Sequence, residues 1–270
     1  MFPAMFETYI ATKKDFDTIK EALKYLNKKE LDFIFSERKL LKNTALVTYD
    51  SKFMYIIQQG GAVEKIEHNT KILDDDHLGW RASVTIEALK GKLTNTNLTY
   101  ISGPFPTPFI ELHKKKRTSP YTSKESYMAT IIHEFGHVYY ENVKNSWFSD
   151  YNRNVNILET VVDLYEGKSN KLKDLIIKLP ESYIETEIFA FCTDYTATSL
   201  FWPEYKKVLD VNYLRSTKKY LKIERENKST LEESVLDDPH IASVAIGKIL
   251  IEKYGNKWVD ILLVIDRVVS

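Results

Sequence analysis

The chain has 270 residues, 43% hydrophobic and 13% aromatic, which suffices for a large core in one domain or two closely packed lobes. Its 38 basic and 38 acidic residues cancel to a formal charge of +0, excluding the basic surplus of a nucleic-acid binder. The single cysteine, Cys192, excludes an internal disulfide framework and fits a reducing compartment.

From the N-terminus, Met1 to Glu7 show no basic stretch followed by an apolar one, so no signal peptide is expected. No apolar run approaches the roughly 20 residues of a membrane span, and a cytoplasmic protein without a membrane partner is expected. Lys13 to Lys28 reads as an amphipathic helix, with Phe16, Ile19, Ala22, Leu23 and Leu26 along one side. Leu31 to Leu41 reads as a second helix. Two apolar runs, Ala45 to Tyr49 and Phe53 to Ile57, read as strands or as a strand and a helix, and Gly60-Gly61 marks a turn. His68 and His77 stand in polar surroundings and read as surface residues; Ala82 to Leu93 reads as helix.

Leu98 to Ser102 and Pro108 to His113 are β-like, joined by Gly103-Pro-Phe-Pro-Thr-Pro108. Three prolines interrupt any ladder and put a flanking strand at a sheet edge. An edge strand of this kind can pair with an extended peptide by β-augmentation. His113 reads as an edge-strand residue before the basic run Lys114-Lys-Lys-Arg117, or alternatively as a metal ligand.

Thr122-Ser-Lys-Glu125 has capping-box spacing and opens a helix expected to end near Asn145. Within it lies His133-Glu134-Phe135-Gly136-His137. Histidines four apart project from one helical face, one turn above the other, so both imidazoles can reach one Zn²⁺. Glu134, at the edge of that face, is placed to act as base toward a water at the metal. The bland alternative is a solvated histidine pair, but Ile131, Ile132, Phe135 and Val138 make this a buried helix. Gly136, a poor helix former, reads as a point of close approach.

A catalytic zinc site takes three protein ligands. The extended motif with a third histidine would need Gly at 140 and His at 143, where the chain has Tyr140 and Val143. A downstream carboxylate is preferred. The segments 154–166, 168–178, 181–200, 203–209, 216–223, 229–236, 239–253 and 256–267 all read as helical. In 181–200, Glu187 shares a face with Ala190, Phe191 and Asp194, where a charge is costly unless paired or metal-bound. Glu181 and Glu185 read as partners of the helix N-terminus, and Glu159 as a weaker candidate ligand. His240, after Asp237-Asp238-Pro239, reads either as a hydrogen-bond donor to a developing oxyanion or as an ordinary histidine at a helix start.

At these residues the chain resembles the gluzincin metallopeptidases, in particular the catalytic domain of the anthrax lethal factor type. There His-Glu-Phe-Gly-His is followed by Glu-x-Glu-x-Phe-Ala, matched in this chain by His133 to His137 and by Glu185-Thr-Glu187-Ile-Phe189-Ala190. The resemblance implies that Glu187 is the third ligand and that Tyr183 assists the transition state.

The expectation is an α+β, predominantly helical, zincin-like metallopeptidase. An N-terminal α/β lobe spans 1–148 and a C-terminal helical lobe carrying the third ligand spans 149–270. One Zn²⁺ per chain is held by His133, His137 and Glu187; Glu134 is the general base, with Tyr183 or His240 at the oxyanion. The partner is a peptide or protein substrate. The alternatives are a zinc hydrolase of another amide and an inactive protein that keeps the fold for binding or regulation.

Overall fold

The computed structural model describes residues 8–67, 98–116, 119–143, 181–214 and 239–264. It is a mixed α+β fold, mostly helical, with one four-stranded sheet among the described residues. Two compact units divide at Val138/Tyr139, inside a helix. The segments 82–93, 154–166, 168–178, 216–223 and 229–236, with His68, His77 and Glu159, lie outside the described residues.

In the first unit, α1 (Lys13–Leu26) follows the apolar period read from the sequence, burying Ile19, Ala22, Leu23 and Leu26. Its start is a capping box: the Thr12 N–H donates to the Asp15 carboxylate at 2.9 Å. Asp15 is 1% exposed and also accepts the Tyr9 hydroxyl. Burial raises the Asp15 pKa, but hydrogen bonds from Thr107, Thr12 and Tyr9 outweigh it and hold the carboxyl below its ordinary value.

The second expected helix is broken. A short 3-10 turn (Lys29–Leu31) precedes α2 (Arg38–Lys42), and Ile34 and Phe35 between them are fully buried. The Arg38 guanidinium donates to the carbonyls of Leu26 at 2.7 Å and Lys28 at 2.9 Å, groups that the end of α1 leaves without helical partners.

Strands β1 (Thr44–Tyr49), β2 (Phe53–Ile57), β3 (Val63–Glu67) and β4 (Thr99–Ser102) form a sheet in the order β3-β2-β1-β4. The first three pair antiparallel, while β4 joins β1 parallel in the register Leu46↔Ile101. Ala45, Val47, Met54 and Ile56 form a core cluster on one face, with Ile66, Leu98 and Tyr100 against it. The turn from β2 to β3 places Gly61 at φ 86, a left-handed conformation that glycine adopts without steric cost.

The expected strand Pro108 to His113 is a helix, α3 (Pro106–Lys114). Proline lacks an N–H, but the first helical turn has no acceptor for those groups, and the fixed φ of proline suits a helix start. Residues that break a ladder therefore nucleate α3. The edge expectation stands for β4, which ends the sheet order among the described residues.

Helix α4 (Lys124–Val143) begins one residue later than the sequence indicates. Its cap is Ser123 with Ser126: the Ser126 N–H donates to Ser123 Oγ at 3.2 Å, and the Ser123 N–H donates to Ser126 Oγ at 3.1 Å.

The second unit begins with the last turn of α4 and contains α5 (Glu181–Phe201), α6 (203–214), α7 (Pro239–Tyr254), a 3-10 turn (Gly255–Lys257) and α8 (Trp258–Val264). Every residue from Thr186 to Thr198 of α5 is buried, so this helix is enclosed on all sides. Phe189 meets the Tyr140 ring at 5.0 Å and the Trp258 ring edge-on at 5.2 Å.

Helix α7 crosses α5 closely at Gly247. A Cβ there would stand 2.2 Å from Phe191 Cδ1 and 2.8 Å from Cε1, on a ring buried against Tyr195 and Tyr213. Gly247→Ala is therefore expected to destabilise the protein by about 3 kcal/mol, at the upper end of ordinary overpacking, despite the helix propensity of alanine. The denaturant midpoint measures it; a midpoint at or above wild type would mean that Phe191 has room to move.

Candidate metal centre

Buried apolar residues flank the histidines on α4. Ile131 and Ile132 are 3% and 0% exposed and Phe135 is 0%, while His133, Glu134 and His137 are half-buried. The apolar residues fix the roll of the helix, and the i, i+4 spacing then sets both imidazoles on one side. Their rings meet edge-on with centroids 4.7 Å apart, and the two Nε2 atoms approach to 3.0 Å.

That separation suits an N–H···N hydrogen bond between the two rings. It is also close to the ~3.3 Å between two nitrogens that share a tetrahedral zinc at ordinary Zn–N lengths. The carboxylate of Glu187 joins them: one ligand atom from each of His133, His137 and Glu187 lies within 4.8 Å of the others. Glu187 is 4% exposed on the enclosed stretch of α5. A carboxylate in such surroundings needs a charged or hydrogen-bonding partner. Two imidazoles and one carboxylate are the nitrogen–oxygen donor set that zinc accepts, so these residues fit a bound divalent ion.

The other sequence candidates are placed as follows. His113 lies on α3 and shares a 2.8 Å hydrogen bond through Nδ1 with Ser119 Oγ. Burial, and then the charge of Lys116, pushes its imidazole down to about 4, so it is neutral at physiological pH. Its ring packs on Phe109 and Tyr121, and it is not among the residues of the metal-competent cluster. Tyr183 stands in the first turn of α5, four residues before Glu187, and His240 is the second residue of α7. Their side chains, with those of Glu181 and Glu185, lie outside the described residues.

Sequence reasoning overlooked the polar ties around the bend after β4. Tyr127, on α4, donates from its hydroxyl to the Pro104 carbonyl at 2.9 Å, and Thr107 donates to Asp15 through N–H at 3.0 Å and through its hydroxyl at 2.6 Å. A tyrosine at 127 and an aspartate at 15 carry no local pattern that announces partners far away in the chain. The one available signal was the clustering of prolines at 104, 106 and 108, which marks a fixed bend.

Among the described residues, no helix is long and apolar enough to cross a membrane. Compared with known proteins, the chain matches no family model, no curated sequence and no solved structure.

Proposed function

We propose that this protein is a zinc-dependent peptidase of the gluzincin kind, with a zincin-like fold and His133, His137 and Glu187 as the metal ligands. The observation that carries this reading is the convergence of Glu187, distant in sequence, on the histidine pair of the His-Glu-x-x-His motif. A histidine pair alone could serve many ends. A buried carboxylate meeting it completes a three-ligand set that leaves a fourth position for water or substrate.

Bound zinc would supply Lewis-acid polarisation of the substrate carbonyl and a water acidified to a pKa near 7. The remaining chemistry belongs to the chain. Glu134 follows directly on a ligand in α4, so its carboxylate projects beside the ligand face rather than onto it. It accepts a proton from the attacking water and returns it to the amide nitrogen as the C–N bond breaks, serving first as base and then as acid. Tyr183 and His240 are the two donors proposed for the carbonyl oxygen as negative charge develops there, a role worth about 10²–10³ in kcat. The substrate is a peptide or protein segment, and the compartment that suits the lone buried Cys192 thiol is the cytoplasm.

The test combines metal analysis with hydrolysis. The purified protein is expected to carry about one zinc per chain, to lose hydrolysis of a mixed-sequence peptide library on chelation, and to regain it on zinc addition. A protein that takes up no divalent ion, or that hydrolyses equally well under chelator, would overturn the proposal.

A further inference from the structure

Helix α6 has two apolar faces, of which its own unit covers one. Tyr205, Leu209 and Tyr213, at intervals of four, are buried. On the opposite face Val208 is 50% exposed and Val211 60%. Valine is among the weaker helix formers, so neither burial nor helix propensity accounts for these two. With Leu200 and Leu214 they make four of the six large apolar side chains that stand exposed among the described residues. A patch of this kind, bordered by charged residues, marks a surface for another protein.

Its spacing narrows the choice of partner. The Trp202 N–H donates to the Thr198 carbonyl and the Lys206 N–H to the Trp202 carbonyl, both at 2.9 Å, so helical bonding runs from the end of α5 into α6. Leu200, Glu204, Lys207, Val211 and Leu214 then follow at intervals of four, three, four and three, the seam spacing of a coiled coil. Glu204 and Lys207 are bridged at 2.7 Å, with side chains 83% and 71% exposed, and such a bridge contributes little within one chain. Between two copies it contributes register. When two such seams pair antiparallel about a point midway between Tyr205 and Lys206, Glu204 of each copy faces Lys207 of the other, and Leu200 of each faces Val211 of the other.

We infer that this seam docks a second copy of the chain, antiparallel, with two reciprocal Glu204–Lys207 pairs between two apolar layers of Leu200 and Val211. A lipid surface calls for a basic border, whereas Glu204 and Asp210 here balance Lys206 and Lys207. The formal charge of +0 leaves copies without net repulsion. A strip one helix wide and about 17 Å long falls well short of the ~800 Å² per partner of a stable complex, so the dimer exchanges with monomer. Leu200 stands about 20 Å along α5 from Glu187, and the inference is independent of the metal reading.

The test is sedimentation of the full chain between about 1 µM and 1 mM, which spans weak to moderate dissociation constants. The wild-type mass is expected to rise with concentration from that of one chain toward that of two. Val211→Asn weakens association about tenfold or more and melts with wild type, since the side chain is exposed. Glu204→Lys alone and Lys207→Glu alone each set like charges against each other across the seam, and each weakens association about tenfold or more. An equimolar mixture of these two variants restores opposite charges at both positions and dimerises about as well as wild type. Recovery in the doubly substituted chain but not in the mixture would assign the pair to its own helix and overturn the inference. Association unchanged in all three single variants would place the contact elsewhere and overturn it too. A wild-type chain that stays monomeric throughout also overturns it, leaving the face to a partner of different sequence.

Discussion

Glu134→Gln is expected to retain about one zinc per chain and to hydrolyse peptides about 10²–10⁴-fold more slowly than wild type. Glutamine keeps the length, branching and helix propensity of glutamate, so α4 and the histidine pair should be undisturbed. What disappears is the carboxylate proposed to take the proton from water. Glu134 is half-buried, adjacent to His133 in the chain, and is not one of the three residues of the metal-competent cluster. Zinc content by elemental analysis and initial rates on one cleaved peptide give the two readouts. Zinc retained with kcat lost assigns Glu134 to chemistry; loss of both would make it a ligand or a structural residue. Undiminished hydrolysis would remove it from the mechanism.

Glu187→Ala is expected to weaken zinc binding by more than about 100-fold, since partners outside the ligand set already contribute about 10–100-fold. Because Glu187 is buried, alanine also leaves a cavity, and a loss of zinc could follow from altered packing. Glu187→Gln separates the two causes: it fills the same volume without the charge and should show nearly the same loss of affinity. A thermal readout is independent of catalysis. Zinc at about 1,000 times its Kd stabilises the wild-type fold by about 4 kcal/mol, and this metal-dependent rise in Tm should be almost absent in both variants. Glu185→Ala and Glu159→Ala should keep it. Wild-type zinc affinity in Glu187→Gln would show that the carboxylate, although beside the histidines, is not a ligand.

The histidine pair was legible because everything it needs is local. A helix period and a four-residue interval put His133 and His137 on one face, whatever the rest of the chain does. The same holds for α1, whose apolar residues recur at helical spacing, and for the β4 edge; the runs of β1 and β2 were visible, but as two strands or as a strand and a helix, and the structure makes both strands. Strand β3 was not legible. Its exposed Val63, Lys65 and Glu67 leave too few apolar residues for a strand pattern, and its pairing with β2 supplies the stability that its own sequence lacks.

The sequence by itself determined the motif, its helix and the histidine pair, since these depend on residues within a few turns of one another. Tertiary structure decided the rest. Pro106 and Pro108 start α3 rather than interrupt a strand, because a helix start and a ladder break make the same local demand of proline, and the chain's path decides between them. The cap of α4 falls on Ser123 and Ser126 rather than Thr122 and Glu125, although both pairs have the required spacing. The place of Gly247 in α7 is likewise decided by packing, because the Phe191 ring of α5 fills the space a side chain would take. Sequence periodicity selected Glu187 as the acid facing inward, but its approach to His133 and His137 across more than forty residues depends on the packing of α5, which fixes distances that no local pattern encodes.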